Sequence, residues 1–141
     1  MEFVPFQYRA WVKKLIWKDG QLVEGDPFDV VHDGDTCYLL IDKGERNYSN
    51  PPCRFYGIDT PELNDKDPEV RRRAIEARDF LRPLIRGKEV YIISVDKDPY
   101  DRPVVLVWLN PADFGDRAKS VNRLLVDKGY AVPRYQTHGA I

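Results

Sequence analysis

Hydrophobic and polar positions alternate at the start of the chain. Phe6, Tyr8, Ala10 and Val12 stand against polar neighbours, which predicts a strand across Phe6 to Lys18. Asp19-Gly20 is a favoured two-residue hairpin turn, and Gln21 to Glu24 returns from it. Gly25-Asp26-Pro27 breaks the pattern before a short strand over Phe28 to His32. Asp33-Gly34-Asp35-Thr36 reads as a turn, followed by a strand over Cys37 to Ile41. Asp42 to Pro52 is polar and reads as a loop, and Arg54 to Ile58 favours a further strand. An antiparallel hairpin centred near Gly44-Glu45-Arg46 would set Asp35 and Thr36 beside Arg54. Cys37 would then face Cys53, either as two small core side chains or as a cross-strand disulfide.

The second half begins with a helical period. Asp67 is a natural N-cap with Pro68 in the first position, and Val70, Ala74, Ala77, Leu81 and Leu84 recur at helical spacing. Phe80 and Ile85 widen that stripe, Pro83 should kink or end the helix, and Gly87 stops it. Arg71, Arg72, Arg73, Arg78, Arg82 and Arg86 lie on the other faces and read as a solvated surface rather than a nucleic-acid track. Strands follow over Glu89 to Val95 and Pro103 to Leu109, joined by the polar loop Asp96 to Arg102. A second helix is expected over Lys119 to Lys128, burying Val121, Leu124 and Leu125 and ending at Gly129. Short strands with frequent turns and two amphipathic helices predict a mainly β protein with α (α+β), a small barrel with helices packed on it. Trp11 and Trp17 read as packing residues, and His32 as a surface or turn residue.

Composition bounds the function. The 141 residues suit a single domain spanning 1–141. The 22 Lys and Arg nearly cancel the 23 Asp and Glu, which argues against holding nucleic acid mainly by bulk positive charge. A local phosphate site is compatible with that balance, because a bound divalent cation offsets nearby carboxylates. No apolar run approaches the ~20 residues of a membrane helix, so no membrane partner is expected. Met1 to Pro5 does not read as a signal peptide. The expectation is a cytoplasmic protein, or a secreted one whose targeting segment lies outside this sequence.

The candidate chemistry sits in Arg54-Phe55-Tyr56-Gly57-Ile58-Asp59-Thr60-Pro61-Glu62. Gly57 marks a bulge or a close approach of another group. Thr60 precedes proline and is held extended, so the strand ends in a fixed elbow. The elbow presents Asp59, the Thr60 carbonyl and Glu62, and Asp35 joins them through the hairpin. Oxygen donors of this kind suit a hard cation such as calcium, and Arg54 suits a phosphate beside it. Asp35, Asp59 and Thr60 are therefore the candidate metal ligands. Glu62 is the candidate general base or water-orienting group, and Arg54 with Arg102 the candidate phosphate clamp.

Four blocks, in order, carry a resemblance. They are Asp33-Gly34-Asp35-Thr36, Arg54 with Gly57 to Glu62, Asp98-Pro99-Tyr100-Asp101-Arg102, and Ser120-Val121-Asn122 through Gly129-Tyr130-Ala131. Over roughly Phe28 to Tyr135 the chain resembles the staphylococcal-nuclease-like (thermonuclease) family. Pro99 and Asp101 stand where that family often has a basic residue and a glycine. The resemblance implies a five-stranded Greek-key OB-fold barrel with two or so packed helices, here with an extended N-terminal β-hairpin. It implies one calcium ion, and hydrolysis of phosphodiester bonds in DNA and RNA, preferably single-stranded, leaving 3′-phosphates. It places Tyr100 on the substrate's terminal phosphate and Tyr135 against a nucleotide base. A monomer is expected. Two other readings compete: a non-catalytic OB-fold module that binds nucleic acid or a protein, and a calcium-stabilised structural domain.

Overall fold

The computed structural model describes residues 6–134 and 138–141. In chain order the elements are β1 (Phe6–Trp11), β2 (Leu15–Lys18), β3 (Gln21–Glu24), β4 (Val31–Asp33), β5 (Thr36–Tyr38), β6 (Leu40–Asp42), β7 (Tyr48–Ser49), β8 (Pro52–Phe55), β9 (Ile58–Asp59), α1 (Pro68–Ile85), β10 (Glu89–Lys97), β11 (Pro103–Trp108), α2 (Val121–Asp127) and β12 (Val132–Pro133). Eight strands form one sheet in the order β4-β5-β8-β11-β10-β1-β6-β7. Its pairs are antiparallel except β8 with β11. This is the sheet-rich α+β class, with two α-helices, that the hydrophobic pattern predicts. No helix among the described residues is long and apolar enough to cross a membrane.

The predicted hairpin forms. Thr36 pairs with Arg54, Cys37 with Cys53 and Ile41 with Ser49, and the chain reverses through positive φ at Gly44, Glu45 and Arg46. Leu39, fully buried, separates β5 from β6. β5 pairs with β8 while β6 pairs with β1, so one bent segment holds two distant strands of the sheet. The two cysteines are free, buried thiols, and burial pushes both up, Cys53 to about 12.

The N-terminal strand departs from expectation. It breaks after Trp11 because buried Val12 exchanges backbone hydrogen bonds with the end of the α1 connection: Val12 N–H donates to the Lys88 carbonyl (2.9 Å) and Gly87 N–H to the Val12 carbonyl (3.0 Å). β2 therefore leaves the main sheet and pairs only with β3, through the expected turn at Asp19 (φ 51°) and Gly20 (φ 76°). Trp17 is 73% exposed on this arm, so it is not the packing residue the sequence suggests. Trp11 is half-buried, with the Arg9 guanidinium 5.0 Å from its ring centroid.

α1 starts as predicted, with the Asp67 carboxylate accepting from Glu69 N–H at 2.9 Å. Ala74, Ala77, Leu81 and Ile85 are buried against the sheet. Burying a side chain the size of Leu81 or Ile85 contributes about 2 kcal/mol. Pro83 does not end the helix, which runs on to Ile85. Only two residues of helix follow Pro83, and Arg86 N–H closes the end onto the Arg82 carbonyl at 2.9 Å. The arginines of α1 do not form a free row. Arg71 donates to the Asp65 and Lys66 carbonyls, Arg72 pairs with Glu69 and Glu76, and Arg82 donates to the Val31 and Phe28 carbonyls.

α2 begins at Val121 rather than Lys119, because Ser120 caps it by accepting from Arg123 N–H at 3.1 Å. Its buried face is Val121, Asn122 and Leu125, and Leu124 is only half-buried. Asn122 is fully buried and makes three hydrogen bonds: Oδ1 accepts from Val107 N–H (3.0 Å), and Nδ2 donates to the Tyr56 (2.9 Å) and Val105 (3.0 Å) carbonyls. It ties the turn between β8 and β9 to β11, and so fixes the elbow that follows. Asn122→Leu keeps the volume but removes all three bonds. The expected loss is about 3 kcal/mol, read from urea unfolding; a loss below ~1 kcal/mol would show that the tie contributes little.

Candidate functional site

The turn at Tyr56-Gly57 delivers the chain into β9 and the elbow. Gly57 has φ 77°, and a Cβ there would lie 2.6 Å from Ile141 Cγ2, so both the conformation and the packing demand glycine. Asp59 lies on β9, opposite Val132 of β12. Arg54, from β8, reaches both Asp35 and Asp59. Its Nη1 donates to Asp35 Oδ2 at 3.1 Å, and its Nη2 to the Ile58 carbonyl at 3.3 Å and to the Asp59 carboxylate. Burial pulls the Arg54 guanidinium down, but the charges of Asp35 and Asp59 outweigh it and hold the group above its ordinary value.

Asp35 is buried, and its carboxylate also accepts from Thr60 N–H (Oδ2, 3.2 Å) and from Thr36 Oγ1 (Oδ1, 3.2 Å). Gly34 lets this acidic turn close on the elbow, since a Cβ there would meet Thr60 Cγ2 at 2.9 Å and Ala77 Cβ at 2.8 Å. Asp33 accepts from Asp35 N–H at 3.1 Å. Burial, then the charge of Asp35, pushes the Asp33 carboxyl up to about 7.

Arg102 enters from the start of β11. Asp98 organises the loop before it: Oδ1 accepts from Tyr100 N–H and Arg102 N–H, both at 2.9 Å, and Oδ2 accepts from Arg102 Nε at 2.6 Å. Burial alone would raise the Asp98 carboxyl, but these hydrogen bonds outweigh it and hold it below the usual carboxylate range. Asp101 has φ 64°, the left-handed region that glycine favours and aspartate tolerates, so it keeps the turn. Tyr100 is 80% exposed, with the Arg102 guanidinium 5.6 Å from its ring centroid.

One cleft of about 440 Å³ is lined by Arg54, Asp59, Glu62, Tyr100, Arg102 and Arg134, among others. Glu62 is exposed there, and its carboxylate has no hydrogen-bond or ion-pair partner among the described residues. Asp35 reaches the cleft through Arg54, and Thr60 stands on the opposite side of the elbow. Arg54, Asp59, Glu62, Tyr100 and Arg102, predicted from separate segments, thus line one cleft, and Arg54 ties Asp35 to it. The expectation for Tyr135 falls outside the described residues. His32 is exposed. Sequence reading missed Arg134, whose Nη1 lies 3.4 Å from Asp59 Oδ1. Only the two-residue pairing of β12 with β9 brings it there, and so short a strand leaves no periodic signal.

The donors fit a hard cation. Asp35 and Asp59 converge on one guanidinium, and the Thr60 carbonyl belongs to the elbow that binds Asp35. These are oxygen donors, and the Asp35 and Asp59 carboxylates carry more negative charge than Arg54 alone offsets. Among the described residues no group of three or more His, Cys, Asp and Glu is placed to hold a metal ion.

The chain is 30% identical over 89 residues to the thermonuclease of Staphylococcus hyicus, covering 62% of this chain and 50% of that protein. It is 32% identical over 109 residues to the uncharacterized lipoprotein MG186 of Mycoplasma genitalium, covering 72% of this chain and 41% of that protein. The chain spans about half the length of these curated relatives or less. The sequence profile described as staphylococcal nuclease homologue matches residues 52–140, from β8 through Arg54, Glu62, Arg102 and Asn122. The chain belongs to the staphylococcal nuclease homologue family, whose domain is an OB-fold.

Proposed function

We propose that this chain is a calcium-dependent nuclease. It hydrolyses phosphodiester bonds of DNA and RNA, prefers single strands, leaves 3′-phosphates and acts as a monomer. The observation that supports this reading most is the shared cleft, where Arg54, Glu62 and Arg102 surround Asp59. The fold reading beneath it is a five-stranded Greek-key barrel. Counting β5–β6 and β7–β8 as one bent strand each supports it, because β1, β10, β11, β8 and the β5–β6 strand then pair in a ring.

Asp35, Asp59 and the Thr60 carbonyl would hold the calcium ion, which supplies positive charge for a phosphate oxygen and for a bound water. The residues do the rest. Glu62 has a free carboxylate at the open side of the cleft and accepts the proton of the attacking water. The water oxygen bonds to phosphorus, the bond from phosphorus to the 5′ oxygen breaks, and that oxygen leaves as a hydroxyl by taking a proton from solvent water. Arg102 spends Nε on Asp98, which leaves its two terminal nitrogens for phosphate oxygens. Arg54 approaches from the other wall, and the two guanidiniums oppose the charge that builds on phosphate. Tyr100 beside Arg102 contacts a terminal phosphate. Tyr135 is assigned to a base by resemblance alone.

The deciding assay is cleavage of single-stranded DNA and RNA with calcium and with chelator, followed by identification of the end groups. Calcium-dependent cleavage with 3′-phosphate ends is expected. Binding of the strand with no calcium-dependent cleavage would replace this reading by the non-catalytic OB-fold module.

A further inference from the structure

A second cleft, of about 530 Å³, lies on the far side of the elbow. Asp59, Thr60 and Pro61 form one wall, Val70, Arg73 and Glu76 of α1 another, and Lys128 to Val132 the third. It shares Asp59 with the cleft that holds Arg54 and Arg102. β12 links the two, because Val132 lines this second cleft while Arg134, two positions on, lines the first. Beyond Asp59 and Thr60, the sequence reading gives no role to the side chains that line it.

Its chemistry is mixed. Val70, Pro61, Tyr130, Ala131 and Val132 supply apolar surface, and Val132 is 62% exposed. Tyr130 is held in place by stacking on Phe80, with ring centroids 4.5 Å apart. Arg73 and Lys128 are exposed, and neither side chain makes a hydrogen bond or ion pair among the described residues. Arg72, which also lines the cleft, is by contrast spent on Glu69 and Glu76. Two uncommitted cations over an apolar floor, beside a phosphate site, match the alternation of phosphate and base along a single strand.

We infer that this cleft holds the nucleotides flanking the scissile phosphate on the side away from Tyr100 and Arg102, with phosphates on Arg73 and Lys128 and bases on the apolar floor. The inference rests on the nuclease reading for the position of the scissile phosphate. The neutral net charge is consistent with it, because the strand is held by two local pairs of cations rather than by a basic surface.

The test is binding, so that it stands apart from cleavage. A fluorescein-labelled eight-nucleotide single strand is titrated by anisotropy at several salt concentrations with chelator in place of calcium, so that the strand stays intact. The Arg73→Gln/Lys128→Gln variant should bind about tenfold more weakly. Its plot of log K against log salt should be shallower by about 1.4, the loss of two phosphate contacts on a single strand. A control variant, Lys18→Gln/Lys43→Gln, removes the same charge from surface outside both clefts and should shift affinity less than about twofold. Equal affinity and slope in wild type and the first variant would overturn the inference, and so would an equal loss in the control. Loss of cleavage with this binding pattern intact would instead overturn the nuclease reading and leave the cleft standing.

Discussion

Glu62→Gln is expected to lower turnover on single-stranded DNA by about 10²–10⁴-fold, the usual worth of a positioned general base. Glutamine keeps the shape and one acceptor oxygen but cannot take a proton from water. The substitution is clean because the Glu62 carboxylate is exposed and has no hydrogen-bond or ion-pair partner among the described residues. Its backbone place is set by the Thr60-Pro61 elbow and by Asp65 N–H donating to the Glu62 carbonyl at 3.3 Å, and neither depends on the side chain. The melting temperature should therefore stay at the parent value, and strand affinity should change little. The effect belongs in kcat, with KM near the parent's. Steady-state kinetics with calcium, alongside anisotropy on an uncleaved strand, separates the two. Turnover within about threefold of the parent would remove Glu62 as the base.

Much of this site was legible before any coordinates. The hairpin across Gly44-Glu45-Arg46 followed from turn chemistry, and it set Thr36 opposite Arg54 and so brought Asp35 onto its guanidinium. The elbow followed from Thr60 preceding Pro61, and Gly57 was required both by a positive φ and by the approach of Ile141. These features are local, and the chain writes local constraints as glycine, proline and capping residues. The failures are all tertiary. The break after Trp11 depends on Val12 meeting Gly87 and Lys88, partners far along the chain. Asn122 sits on a helix face that periodicity marks as apolar, yet it is a buried polar tie to three backbone groups. Arg134 reaches Asp59 through a strand of two residues.

Arg102→Lys is the second substitution with a large expected effect, about 10²–10³-fold in kcat. The size follows from how the guanidinium is divided. Nε is committed to Asp98 at 2.6 Å, and the same carboxylate holds Arg102 N–H and Tyr100 N–H, so the loop fixes the side chain at its stem. The two terminal nitrogens are left to project as a fork. A lysine has one ammonium: paired with Asp98 it leaves the phosphate, and placed on the phosphate it leaves Asp98 without its ion pair. Either way the two-pronged contact is lost where charge builds during attack. Asp98→Asn separates holding from gripping. It keeps an oxygen for the two backbone donors but removes the ion pair, so the arginine remains and only its aim loosens. A smaller loss, about tenfold, is expected. Arg54→Lys provides the contrast on stability, because Arg54 serves two partly buried carboxylates at once. That variant should lose thermal stability in chelator and regain part of it in calcium, whereas Arg102→Lys should melt close to the parent. An Arg102→Lys variant that turns over within about threefold of the parent would mean that a single point charge suffices at this position. The clamp would then have to be assigned to Arg54 alone.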